Sequence, residues 1–268
     1  MFKFNTWFLQ RGAWIIITTC SSFLLKGQDN NIATDRPGEG ESSSVVSRGV
    51  LQIETGVAFS KHEIEFFNGT IEKTRDFGTT LIRYGVFQDI EVRIATAVTN
   101  YEESTFIRNT GLQPITVGTK IALHPQKGLR PELALLGHIT LPWIGDEQLV
   151  PDFIAPDFRL CLSHALSERF SLGYNLGMSW DGNSPRGSFV YTLSLEASLV
   201  EQVSAFAEIY GEGLEGLGWT HHADFGVSVL MTPDLQFDVS YGLTLSRGLG
   251  RKTHFLNAGI STRFGGKK

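Results

Sequence analysis

Cysteine is nearly absent from this chain of 268 residues: Cys20 and Cys161 are the two it has. Once an exported N-terminus is removed, Cys161 stands alone, so no internal disulfide forms and the fold relies on its own core or on closure of a sheet. Long apolar runs are also missing. Beyond the N-terminus none approaches the ~20 residues that a membrane-spanning helix requires. Basic charge is sparse as well: 23 Lys and Arg against 28 Asp and Glu give a net charge of -5, with no Lys/Arg cluster. That removes the electrostatic footprint of a nucleic-acid binder, and no nucleic-acid partner is expected.

The signatures of catalysis and of metal or cofactor binding are lacking too. No Gly-x-Ser-x-Gly elbow occurs. Ser163 and His164 are adjacent, so a strand points them to opposite faces and they cannot act together as in an outer-membrane lipid hydrolase. His221 and His222 are again neighbours and read as solvated histidines at a loop end, while His62-Glu63-Ile64-Glu65 lacks the second His of a helical zinc motif. The glycine-rich stretch from Gly211 to Gly218 precedes a strand and not a helix, so it reads as a flexible outer loop and not as a phosphate cradle. No catalytic residue, cofactor site or metal site is expected.

What is present is alternation. From Gly187 to Leu199, Phe189, Tyr191, Leu193, Leu195, Ala197 and Leu199 interleave with Ser188, Thr192, Ser194, Glu196 and Ser198. Successive side chains of a strand face opposite ways, so one face is apolar and the other polar. Similar segments of roughly 10 residues, the length a tilted strand needs to cross a bilayer, recur from Leu51 to Phe264. They predict about twelve strands, near 50–60, 76–86, 89–101, 114–124, 131–141, 156–166, 169–180, 187–200, 203–212, 219–231, 234–246 and 253–264.

Alternation alone also fits a soluble lipocalin-like barrel with its apolar face turned inward. Three features favour the membrane. Even-numbered connections are tight polar turns such as Ser167-Glu168, Glu201-Gln202 and Thr232-Pro233-Asp234, whereas odd-numbered ones, such as Lys61 to Arg75, Glu102 to Gln113 and Pro142 to Ala155, are mostly longer. Short periplasmic turns and long outer loops are the pattern of an outer-membrane barrel. Trp143, Trp180 and Trp219 fall at the loop ends of strands and Tyr84, Phe87, Phe170 and Phe264 near the opposite rim, as two interfacial girdles require. Glycines such as Gly56, Gly118, Gly226, Gly242 and Gly259 fall on the polar face, where they relieve a crowded lumen. The fold expected is all-β, an antiparallel up-and-down transmembrane β-barrel.

Charged groups facing lipid cost a few kcal/mol each near the midplane, so they must face the lumen. The lumen-lining candidates are Glu54, Arg83, Glu91, Arg93, Lys120, Glu132, Arg159, Glu196, Glu208, Asp224, Asp238 and Arg263. Seven acidic and five basic groups predict either weak ionic selectivity or a largely paired, filled interior. The second case would make the chain a structural or surface-interaction protein of the membrane.

Lys3 and Arg11, an apolar core from Ala13 to Ile17, and small or polar residues up to Gln28 read as a cleaved secretory signal over 1–28. A periplasmic segment over 29–49, the barrel over 50–264 and a tail over 265–268 complete the organisation. Export implies the outer membrane of a Gram-negative bacterium, with its lipid, the barrel-assembly machinery and a small-molecule solute as partners.

Thr34-Asp35-Arg36-Pro37, Gly49 to Gly56, Leu81 to Val86 leading into Ile90 to Arg93, Val117 to Lys120, Phe206-Ala207-Glu208 and Pro233 to Asp238 together resemble the outer-membrane transporter family associated with the MetA pathway of phenol degradation. The resemblance implies a β-barrel that moves small, including aromatic, molecules. It carries over no binding residue. Thr34 to Pro37 itself reads either as a solvated linker or as a segment whose Asp35 and Arg36 tuck into the periplasmic mouth and pair with barrel charges such as Arg83 or Glu91.

Overall fold

The computed structural model describes residues 31–265, apart from 65–69, 104–107, 215–217 and 247–250. Its strands are β1 (Leu51–Ile64), β2 (Thr70–Phe87), β3 (Ile90–Glu103), β4 (Arg108–Leu112), β5 (Thr116–His124), β6 (Glu132–Thr140), β7 (Ala155–Ala165), β8 (Phe170–Ser179), β9 (Ser188–Val200), β10 (Val203–Leu214), β11 (Gly218–Thr232), β12 (Leu235–Ser246) and β13 (Arg251–Phe264). Neighbours pair antiparallel, and β13 returns to pair with β1 from Leu51↔Phe264 to Ile64↔Arg251. Closure pairs the first strand with the last, which is what permits a sheet to cross lipid.

Both β4 and β5 lie on β3, β4 against Val98 to Glu102 and β5 against Ile90 to Ala95. They are two pieces of one stave, broken at Gln113-Pro114-Ile115, where proline lacks the ladder donor. The described strands therefore form a closed twelve-stranded barrel. Its outward side chains are apolar and exposed, including Val92, Ile94, Leu135, Leu176, Leu193, Leu195, Phe237 and Val239. Its inward ones are polar and buried, including Gln52, Glu54, Arg83, Glu91, Arg93, Lys120, Asn175 and Asp238. This inversion of the soluble pattern excludes the lipocalin-like reading: the apolar face is the outside.

Two expected outer connections are shorter than their composition implied. β1 runs on to Ile64 and β2 begins at Thr70, and the stretch from Glu102 to Gln113 is largely taken up by the end of β3 and by β4. Thr, Ile, Lys and Arg keep the alternation of 70–75 going, so cross-strand pairing continues beyond the apolar band. The intervening 65–69 and 104–107 lie outside the described residues.

His221 and His222 are likewise not at a solvated loop end but inside β11. His221 turns outward, hydrogen-bonded to the Tyr191 hydroxyl (2.7 Å) and stacked on Trp219 at 6.0 Å, whereas His222 faces the Thr244 hydroxyl at 3.1 Å and stacks on Tyr210. Trp219 lies over Gly213 and Tyr191 over Gly211, rings covering the backbone that glycine leaves bare.

Neighbouring residues of β9 should respond oppositely to charge. Leu195 is about five residues, roughly 12 Å of depth, from the periplasmic end of its strand, so Leu195→Arg is expected to cost about 2–4 kcal/mol of stability in liposomes. Glu196→Arg, one position along and facing water, should change the urea midpoint little.

Candidate functional site

The site is the lumen, and its main occupant is the chain itself. Residues 31–49, expected on the periplasmic side, enter the barrel and make a polar loop across its periplasmic half. The loop begins with the N–H of Ile32 donating to the Pro233 carbonyl (2.7 Å) and ends where Arg48 bridges Gly85, with the N–H of Gly49 donating to the Gly85 carbonyl (2.7 Å). A Cβ on Gly85 would collide with the backbone of Val46 and Ser47, so glycine at this position in β2 is what lets the segment pass.

Asp35 is the centre of the arrangement. Its carboxylate lies 3.2 Å from Arg83, 2.8 Å from Arg93 and 3.0 Å from the Lys120 ammonium. The alternation of β2, β3 and β5 turns these three cations to one side, and register brings them close: Arg83 opposes Arg93, and Glu91 opposes Lys120. Glu91 holds the Arg83 guanidinium with two parallel bonds of 2.9 and 3.0 Å, while Glu54 accepts a third at 2.9 Å. The other Glu54 oxygen receives the backbone N–H groups of Asp35 and Arg36 at 3.0 and 3.2 Å. Glu41 closes the cluster with 2.8 Å to Arg93 and 3.3 Å to Lys120. Burial by itself would raise the Glu41 carboxyl, but Arg93 and Lys120 hold it well below the usual carboxylate range.

From there the segment reaches the far wall. The Arg36 guanidinium lies 3.1 Å from Asp238 on β12, over the facing pair Gly56 and Gly259, where any Cβ would strike it. Glu208 on β10 accepts the N–H groups of Glu39 and Gly40 at 2.8 and 3.1 Å. Asn175 on β8 exchanges bonds with both backbone groups of Glu41, and the Ser43 and Ser163 hydroxyls meet at 2.8 Å on β7. Ala134, Leu136 and Cys161, all inward-facing, are 0 % exposed, which a wall open to lumen water would not be.

The candidates thus fall into groups. Glu54, Arg83, Glu91, Arg93 and Lys120 come together around Asp35; Glu208 and Asp238 hold the segment from across the lumen. Arg159 pairs with Asp157 at 3.1 Å, and Arg263 pairs with Asp234 at 2.7 Å on the periplasmic rim. Glu196 is exposed and Glu132 half-buried at the same end. Asp224 stands opposite Glu208 in register, buried, with neither carboxylate oxygen hydrogen-bonded among the described residues. Of the two readings of Thr34 to Pro37, the structure has the tucked one: Asp35 pairs with Arg83, while Arg36 pairs with Asp238 and not with Glu91. Glu41 and Asn175 were not among the candidates. The signal for Glu41 was present, since a carboxylate in a short Gly- and Ser-rich stretch next to a lumen with excess cations on one wall has an obvious destination. Ser163 and His164 diverge, the first into the lumen and the second outward to the Leu129 carbonyl.

A family model described as MetA-pathway of phenol degradation matches residues 34–264, from the start of the inserted segment to the end of β13. The chain belongs to this family. No curated protein matches it in sequence. Among solved structures it is similar to the COG4313 outer membrane channel from Pseudomonas putida F1, with a TM-score of 0.67 at 12% identity over 85% of this chain and 99% of that one. It is also similar to the translocator domain of the autotransporter NalP from Neisseria meningitidis (TM-score 0.53, 13% identity, 80% and 88% covered). A third is the KdgM porin in complex with disordered oligogalacturonate (0.52, 7%, 80% and 99%). At these identities the likeness shows the fold, that of outer-membrane channels and translocators.

Two substitutions should expel the segment without touching the barrel ladder. Asp35→Ala removes the common counter-ion of three cations, and Gly85→Val blocks the passage over β2. Each is expected to expose the Glu41–Ser42 bond to a glutamyl endopeptidase in the folded protein and to raise bilayer conductance several-fold, and unchanged cleavage and conductance would contradict the arrangement.

Proposed function

We propose that this family member is a passive outer-membrane channel for small molecules whose periplasmic half is stopped by its own N-terminal segment. The observation that carries this reading is the polar character of the contact between segment and wall. Asp35, Arg36, Glu41, Ser43 and six backbone N–H groups bind wall carboxylates, cations, an amide and a hydroxyl. Water in the lumen can replace such bonds one for one, so the net free energy that holds the segment is a small difference between large terms. A stopper of this kind is displaceable, whereas a permanently filled barrel gains more from a dry apolar interior.

The solute class follows from what the segment leaves uncovered. With Arg83, Arg93 and Lys120 neutralised, and Glu208 engaged by the segment, Asp76 and Glu212 face the lumen along β2 and β10, and Arg159 has its own partner in Asp157. Phe206 and Tyr210 on β10 and Phe255 on β13 add inward aromatic rings, lying against Gly226, His222 and Gly242. We infer passage of small neutral solutes, aromatic ones among them, and of cations ahead of anions. This departs from the near-balance of the barrel charges considered alone, because the segment contributes Asp35, Glu39 and Glu41 against Arg36 and, at its exposed end, Arg48. The COG4313 protein's description as an outer membrane channel and the family's link to phenol degradation support the same reading.

Reversal potentials in an asymmetric KCl gradient test it. The wild-type channel should prefer K⁺, and Asp76→Asn with Glu212→Gln should bring the potential towards zero. Anion preference would overturn the selectivity, and absence of both conductance and solute uptake in the wild type and in Asp35→Ala would favour the filled barrel.

A further inference from the structure

The outer wall carries a feature that the lumen does not explain. Where β12, β13, β1 and β2 run side by side, a cleft of about 260 Å³ opens on the lipid-facing side. Phe59, Tyr241 and Leu256 share one cross-strand row with Arg75, and Lys61 and Lys73 lie two residues nearer the loops. Lys61 lies ten residues along β1 from Leu51, and a tilted strand climbs about 25 Å over that length, the height of the apolar band. Lys61 and Lys73 therefore sit at the outer interface, directly above the last apolar row, with Arg75 beside that row.

The charges there are poorly matched within the chain. Lys61 stands directly opposite Lys73 in the β1–β2 register, a like-charge cross-strand pair that is unfavourable without an anion between them. Lys61 reaches Glu63 (2.8 Å), but both are solvent-exposed, and such surface pairs contribute little. Arg75 reaches Glu102 at 3.3 Å, and the same Glu102 stands opposite Lys73 in the β2–β3 register, so two cations share one carboxylate. Lys252, opposite Glu63, adds a further cation to the same face.

We propose that this cleft docks a phosphorylated glycolipid of the outer leaflet, its phosphate between Lys61, Lys73 and Arg75 and its acyl chains along Phe59, Tyr241 and Leu256. The amphipathic order of the cleft, apolar below and cationic above, is that of an anionic headgroup on hydrocarbon chains. A free anion would use the upper half alone. The proposal rests on the outer-membrane location given above but not on conduction through the lumen.

Delipidated barrel in detergent is titrated with bis-phosphorylated lipid A, with its dephosphorylated form and with inorganic phosphate, and binding is read by native mass spectrometry. Lipid A should bind and should raise the thermal midpoint. Each cation near an anionic lipid surface is worth about a fivefold change in binding, so Lys61→Gln with Lys73→Gln should weaken it about 25-fold. Both side chains are exposed, and the variant's heat-modifiable mobility verifies that it is folded. Lys127→Gln, in a periplasmic turn, should bind as wild type does. Equal binding of the dephosphorylated lipid, saturation by inorganic phosphate at the same concentrations, or full binding by the folded double variant would each overturn the proposal.

Discussion

Three cations, Arg83, Arg93 and Lys120, are packed side by side on one wall of the lumen, and the structure around them follows from the need to neutralise them. Strand alternation places them inward and antiparallel register makes them neighbours, so neither can be changed without slipping the sheet. Glu54 and Glu91 meet part of the charge from the wall. The rest falls to Asp35 and Glu41, which arrive on a segment outside the sheet. Leaving one member of a buried pair uncompensated typically costs about 3–5 kcal/mol, enough to direct a short, otherwise structureless segment to a single position.

The chemistry that seats the segment also makes it releasable. It is tied to the wall chiefly by charge and hydrogen bonds, with Ile32 and Val46 as its buried apolar side chains, and its seat is a polar barrel wall. Rigidity resides in the closed ladder, which does not depend on the segment, so displacement of 31–49 leaves the scaffold intact. Such a division between a fixed wall and a replaceable occupant is what passive permeation with restricted access requires. The excess of acid over base beyond the cation cluster, together with Phe206, Tyr210 and Phe255, then determines which solutes find the remaining path favourable.

Much of this was legible in the residues. Alternation from Phe189 to Leu199 identified a strand, and the cost of placing Glu91, Arg93 or Asp238 in lipid assigned the inner face of theirs. Period-2 patterning is local and survives without an alignment, so strand positions and faces could be read nearly one by one. The stave broken at Pro114 and the extension of β1 and β2 past the apolar band could not, because pairing beyond the membrane depends on cross-strand partners. Asp35 was recognisable as a partner for the barrel charges, but its contacts with Arg93 and Lys120, the role of Glu41 and the pairing of Arg36 with Asp238 depend on distances across the lumen. Those distances are set by closure of the sheet, to which no single strand's sequence refers.

The central claim is that residues 31–49 cover the inner wall of the folded barrel. Cys161 reports on it directly, because its thiol faces the lumen and is wholly buried beneath the segment. In a Cys20→Ser background, a small water-soluble maleimide should leave Cys161 of the folded barrel essentially unmodified, and should label it rapidly once Asp35→Ala has released the segment. Rapid labelling of Cys161 in the folded chain with Asp35 intact would contradict the account.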